Sequence, residues 1–177
     1  MILIDPAIRT EFGRSLRSRA LAAFLKDAAQ AAGLEGEVSV LLTSDEHIRR
    51  LNREFRRKSK PTDVLSFPAA PSSEVKPRAR GPMAGDLAIS VETGARQAER
   101  LAHSLATELR ILILHGVLHL AGYDHETDSG QMARKEAALR RRFGLAAGLI
   151  ERATRSAAQK APKKRHGAAE SSRGGRS

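Results

Sequence analysis

The sequence predicts an α+β domain, a small mixed β-sheet covered by helices, with a central buried helix that carries a group of histidines. Three observations lead to this class. Short Val-, Ile- and Leu-rich runs at 37–43 (EVSVLLT), 64–67 (VLSF) and 86–90 (DLAIS) have strand length and are bounded by turn-forming residues. Helical periodicity dominates the chain after them. The stretch LRILILHGVLHLAGY at 109–123 is apolar nearly all round, which marks a helix without a solvent face.

In order along the chain, 1–4 reads as a short strand. Apolar residues at Phe12, Leu16, Ala20, Ala23, Phe24 and Ala28 predict one helix over 11–32, ended by Gly33. The strand at 37–43 is followed by Ser44, which caps a helix reaching about residue 55. The strand at 64–67 is entered after Pro61 and left before Pro68. Residues 69–83, rich in Pro, Ser and Gly, predict an exposed loop before the strand at 86–90. Helices follow at 92–102, 105–121 and 129–142, with Gly144 closing the last. Residues 1–146 form the expected domain. The segment 147–177 is Ala-, Arg-, Lys-, Ser- and Gly-rich without apolar periodicity, and a disordered basic tail is expected.

Composition narrows the function. The 177 residues suit one core, 41% are hydrophobic, and no apolar run reaches the roughly 20 residues of a membrane helix. The N-terminus has no secretory pattern. The absence of cysteine excludes disulfides, thiolate catalysis and cysteine-ligated zinc, and accords with a cytoplasmic protein. The net charge of +11 suits a nucleic-acid partner, although eight Lys/Arg against two Glu place +6 of it in 151–177. With one Tyr, five Phe and no Trp, phosphate contacts are expected rather than base stacking.

The chemistry concentrates in HGVLHLAGYDH at 115–125. His115 and His119 lie one helical turn apart on the same face. Gly122 can adopt the left-handed conformation that ends the helix, which lets His125 return and complete a triangle of nitrogens with one metal position open. His47, His103 and His166 lack such company and read as ordinary packed or surface residues. The spacing is shared with HExxHxxGxxH peptidases, but the glutamate those enzymes use as base is Gly116 here, which argues against peptide hydrolysis. Arg53, Arg56, Arg57, Lys58 and Lys60 precede the strand at 64–67. Singly each reads as a solvated charge; together they can form a phosphate-binding rim. Thr62 and Asp63, at the strand start, are candidates to orient a ligating histidine or the arginine, a role whose geometry the sequence does not fix. Among Asp124, Glu126 and Asp128, none stands out as a general base.

The basic segment ending in PTDVLSFP (61–68), GDLAIS (85–90) and HGVLHLAGYDH together resemble the YbeY family of rRNA-maturation endoribonucleases, over roughly residues 1–145. The resemblance implies a cytosolic, zinc-dependent, single-strand-specific endoribonuclease that acts at the small-subunit rRNA 3′ end and in ribosome quality control. It implies one Zn²⁺ held by His115, His119 and His125, and a functional arginine at Arg56, where Phe55-Arg56 stands for the family's usual Tyr-Arg. Catalytic roles are thus expected for Arg56 and His115. RNA and the small ribosomal subunit with its proteins are the expected partners, with no membrane and no DNA. Ser59 departs from the acidic residue common at its position. A metallopeptidase-like hydrolase and a non-catalytic ribosome-associated factor with a structural metal are the alternatives.

Overall fold

The computed structural model describes residues 1–13, 15–57, 62–69 and 82–146; the expected tail at 147–177 and most of the expected loop at 69–83 lie outside these. The described elements run β1 (Ile2–Ile4), α1 (Pro6–Phe12), α2 (Ser18–Ala32), β2 (Glu37–Thr43), α3 (Asp45–Arg56), β3 (Val64–Pro68), β4 (Met83–Ser90), α4 (Val91–Arg100), α5 (Leu105–Leu120) and α6 (Gln131–Phe143). The sheet order is β1-β2-β4-β3, with β1, β2 and β4 parallel and β3 antiparallel to β4. This is the mixed sheet of an α+β domain that the sequence predicts.

Alternation along the strands divides the sheet into two faces. Val38, Val40, Leu42, Leu87 and Ile89 point towards α2 and α5, while Leu65 and Ala88 on the other face pack against Ile48 of α3. Helix α5 fills the centre. Leu109, Ile111, Leu112, Ile113, Leu114, Val117 and Leu118 have no exposure at all, and each buried side chain of this kind contributes about 1.5–3 kcal/mol. Around it, α2 buries Leu21, Phe24, Leu25, Ala28 and Ala32, and α6 buries Met132, Glu136 and Leu139. Phe24 and Phe143 meet edge to face at 5.1 Å and tie α2 to α6.

Two local features hold α3, and with it the basic segment. Ser44 accepts the His47 N–H at 3.2 Å, as its capping role predicts. Asp45 then accepts from Thr93 and Arg96 of α4, each at 2.6 Å, and from Ser90. Burial pushes the Asp45 carboxyl up, but the hydrogen bonds from Ser90, Thr93 and Arg96 outweigh it and hold the group below its ordinary value.

The helix expected over 11–32 is two helices. Asp5 caps α1 by accepting the Ala7 N–H at 3.1 Å, with Pro6 at the first helical position, and α2 starts afresh after Arg17 in a left-handed conformation. The Asp-Pro pair is a helix start that apolar periodicity alone overlooks. Strand β4 begins at Met83 rather than 86, because Gly85 carries it through a bulge opposite Val38. Helix α6 starts at Gln131, two residues later than expected, after Asp128 takes the N–H groups of Gly130 and Met132 at 2.6 and 2.7 Å.

Gly116 sits where α5 crosses β4. A Cβ there would lie 2.8 Å from Leu87 Cδ2 and 3.0 Å from Cδ1, and Leu87 is itself buried. Replacement Gly116→Val is therefore expected to destabilise the protein by about 1–3 kcal/mol through overpacking, read as a lowered midpoint in chemical denaturation.

Candidate metal centre

The last turn of α5 and the turn after it assemble three imidazoles. His115 and His119 project from one face of the helix, as a four-residue step requires. The helix then ends in a paired reverse turn: the Gly122 N–H reaches the His119 carbonyl at 3.0 Å and the Tyr123 N–H reaches the Leu118 carbonyl at 3.1 Å. Gly122 has φ +87°, the left-handed value expected of it. The reversal returns His125 to the other two. Ring centroids are 4.8 Å apart for His115–His119 and 5.2 Å for each pair involving His125. Their ligand atoms all lie within 4.8 Å of one another. Three nitrogen donors so arranged can hold one metal ion.

Burial grades across the triangle. His115 is buried, His119 half-buried and His125 exposed, so a bound ion would be approached from the His125 side. Behind His115 stands Glu136 of α6, its carboxylate 3.1 Å from Nδ1 and both groups buried. A carboxylate in this position draws the proton to Nδ1 and leaves the Nε2 lone pair facing the site. His115 Nε2 is indeed the atom that faces His119 Nε2, at 3.1 Å. Burial, reinforced by His115 and His125, pushes His119 down to a pKa of about 4. The ring is thereby held in its neutral form, the form that can ligate a cation.

The histidines form one wall of a cleft of about 450 Å³. The cleft is also lined by Arg56 at the end of α3, Thr62 and Asp63 before β3, and Ser66 within it. The Ser66 hydroxyl donates to the Gly116 carbonyl at 3.4 Å, which joins β3 to α5. Asp124 and Glu126 lie at the mouth. The Asp124 carboxylate accepts the Glu126 N–H at 3.1 Å and the Thr127 hydroxyl at 3.0 Å, and these bonds hold it below its ordinary pKa.

Of the basic residues before β3, Arg56 alone among the described ones lines the cleft; Arg53 and Arg57 are exposed near the end of α3, and Lys58 and Lys60 lie outside the described residues, with Ser59. Asp63 does not orient a histidine or the arginine. Its Oδ1 accepts from Val64 N–H at 2.9 Å and from the Thr62 hydroxyl at 3.3 Å, and its Oδ2 from Gln97 Nε2 at 2.9 Å. Glu136 takes the histidine-orienting role instead. Its signal is in the sequence: on α6 it lies four residues after Met132 and three before Leu139, an acid in phase with the apolar face. Asp128 serves as the cap of α6. Of the remaining histidines, His47 contacts Thr43 at 3.0 Å and His103 meets buried Glu108 at 3.1 Å, both structural; His166 lies outside the described residues. Gly116 packs against Leu87, so a glutamate at this position would have to displace that side chain.

Comparison with known proteins agrees with this geometry. A family model described as endoribonuclease YbeY matches residues 7–144. An endoribonuclease YbeY of Koribacter versatilis is 51% identical over 147 residues, covering 83% of this chain and 91% of that one. One from Solibacter usitatus is 44% identical over 138 residues, covering 78% and 87%. The solution structure of TM1509 from Thermotoga maritima is similar with a TM-score of 0.51 and 25% identity, over 93% of this chain and 98% of that one.

Two outcomes are expected. Glu136→Gln should weaken divalent-ion affinity by about 10–100-fold, measured by chelator competition with Zn²⁺ or Co²⁺. Gly122→Ala and Gly144→Ala both force alanine into a left-handed cap with open space around it, so each should lose about 1–2 kcal/mol of stability. Only the first should also reduce ion affinity, since only Gly122 positions His125.

Proposed function

The chain belongs to the YbeY family of endoribonucleases, hydrolases of RNA phosphodiester bonds, and from that premise we propose a zinc-dependent, single-strand-specific endoribonuclease that matures the small-subunit rRNA 3′ end. The observation that carries this reading is the convergence of His115, His119 and His125 on a cleft that Arg56 also lines. A cleft of about 450 Å³ falls in the range that encloses a small organic ligand, about 300–1,000 Å³, and suits one unstacked nucleotide better than a stacked base pair.

On this reading the three histidines are the metal ligands. Three neutral nitrogens without a ligating carboxylate favour zinc over magnesium or calcium. When bound, the ion supplies a Lewis acid and lowers the pKa of water at its open position. Glu136 keeps His115 in the tautomer that offers Nε2 to the site. Arg56 receives the scissile phosphate: its planar fork matches two phosphoryl oxygens and stays charged while negative charge builds on them. Asp63 and Asp124 have their oxygens engaged elsewhere, so neither competes with phosphate for the guanidinium.

The reading extends to a setting in the cytoplasm, with the small ribosomal subunit as partner and a part in ribosome quality control. A net charge of +11 suits surroundings rich in RNA, and no single described helix is long and apolar enough to cross a membrane. Residues 1–146 act as the catalytic domain and 147–177 as a basic extension that adds charge-driven RNA affinity.

The test is cleavage by the full chain, purified without an affinity tag and assayed for metal. It should hold one zinc per chain and cut single-stranded RNA in preference to duplex. Arg56→Lys should lower kcat by roughly 10²–10³ with zinc content unchanged, and His119→Ala should lose both zinc and cleavage. A zinc-loaded chain that binds RNA but never cuts it would instead establish a non-catalytic factor.

A further inference from the structure

Arg56 is not alone on its side of α3. At 3.6 residues per turn, Arg49, Arg53 and Arg56 fall in a stripe about 60° wide that rises about 10 Å along the helix. All three are exposed, and the stripe borders the buried face formed by Ile48 and Asn52. Its lower end, Arg56, lines the cleft. Arg50, outside the stripe, is paired with Glu46 at 3.7 Å. Among the described residues, no carboxylate lies within ion-pair distance of Arg49, Arg53 or Arg56.

A helix has a local use for some of these charges. Arg53 and Arg56 lie in the last turn of α3, where cations offset the partial negative charge of the free carbonyls. Arg49 lies a full turn earlier and has no such use. Like charges four residues apart, as Arg49 and Arg53 are, repel across the helix surface. The stripe thus presents three exposed like charges that a polyanion lying along it would offset.

We propose that Arg49 and Arg53 extend Arg56 into a phosphate-binding track along α3, which guides an extended RNA strand into the cleft. The inference rests on the reading of RNA as substrate. A track of fixed cations recognises backbone spacing, not bases, and so suits a strand presented in single-stranded form. It lies outside the metal centre and sets how much of the strand beyond the reacting nucleotide the enzyme holds.

The experiment measures the salt dependence of binding of a labelled single-stranded RNA oligonucleotide to the full chain. The double variant R49Q/R53Q is compared with R19Q/K26Q, which removes two exposed charges from α2. Glutamine keeps helix propensity close to that of the residues replaced, so both variants are expected to fold. Loss of two phosphate contacts should lower the slope of log K against log salt by about 1.4, at about 0.7 per contact for single strands, in R49Q/R53Q only. An unchanged slope in R49Q/R53Q, or an equal loss in R19Q/K26Q, would overturn the track while leaving the RNA substrate standing. A wild-type chain without salt-dependent RNA binding would overturn both.

Discussion

The contact between Gly116 and Leu87 lets α5 lie close on the sheet, and the candidate site is built on that helix. A Cβ at 116 would stand 2.8 Å from Leu87 Cδ2, so a side chain there would force the buried Leu87 to shift. The close approach also brings the Gly116 carbonyl to the Ser66 hydroxyl at 3.4 Å. One end of this contact is the histidine helix and the other is the strand that follows the basic segment.

Placing a helix so deep has a consequence for its polar residues. His115 and Glu136 are both buried, and a buried polar pair stabilises little unless its geometry is good. Their 3.1 Å contact satisfies Nδ1 and leaves Nε2 turned towards His119. Among the described residues, the facing Nε2 atoms of His115 and His119 meet each other. A site of this kind is stabilised by an ion more than by anything the fold itself provides. The graded burial from His115 to His125 adds an anchored side and an accessible side.

Much of this is legible in the amino-acid sequence. The ligand spacing, Gly122 as the reversing residue and the fully apolar helix follow from local rules of dihedral preference and periodicity. So does Ser44 as a cap. What escapes local rules is non-local. Glu136 belongs to a different helix, 21 residues from its partner, and reads as a surface acid until its phase on α6 is counted. Asp63 reads as a ligand-orienting acid because it precedes β3, yet its partner Gln97 comes from α4, which no local pattern connects to it. The break between α1 and α2 is encoded locally, in Asp5-Pro6, but a helical run of apolar residues outweighs it.

The electrostatics of the cleft follow from how its acids are used. Three carboxylates line it beside Arg56: Asp63, Asp124 and Glu126. Were Asp63 or Asp124 free, it would pair with the guanidinium and close the anion site. Instead, the two oxygens of Asp63 hold the start of β3 and the side of α4, and those of Asp124 hold the turn around His125. Each is a structural acceptor first, with its charge partly compensated by the donors it binds. Arg56 therefore lines the cleft without an ion-pair partner among the described residues. Acids already held by hydrogen bonds need not let go of the guanidinium before it meets an anion. The same acids that define the shape of the walls leave the one cation of the cleft unclaimed among the described residues.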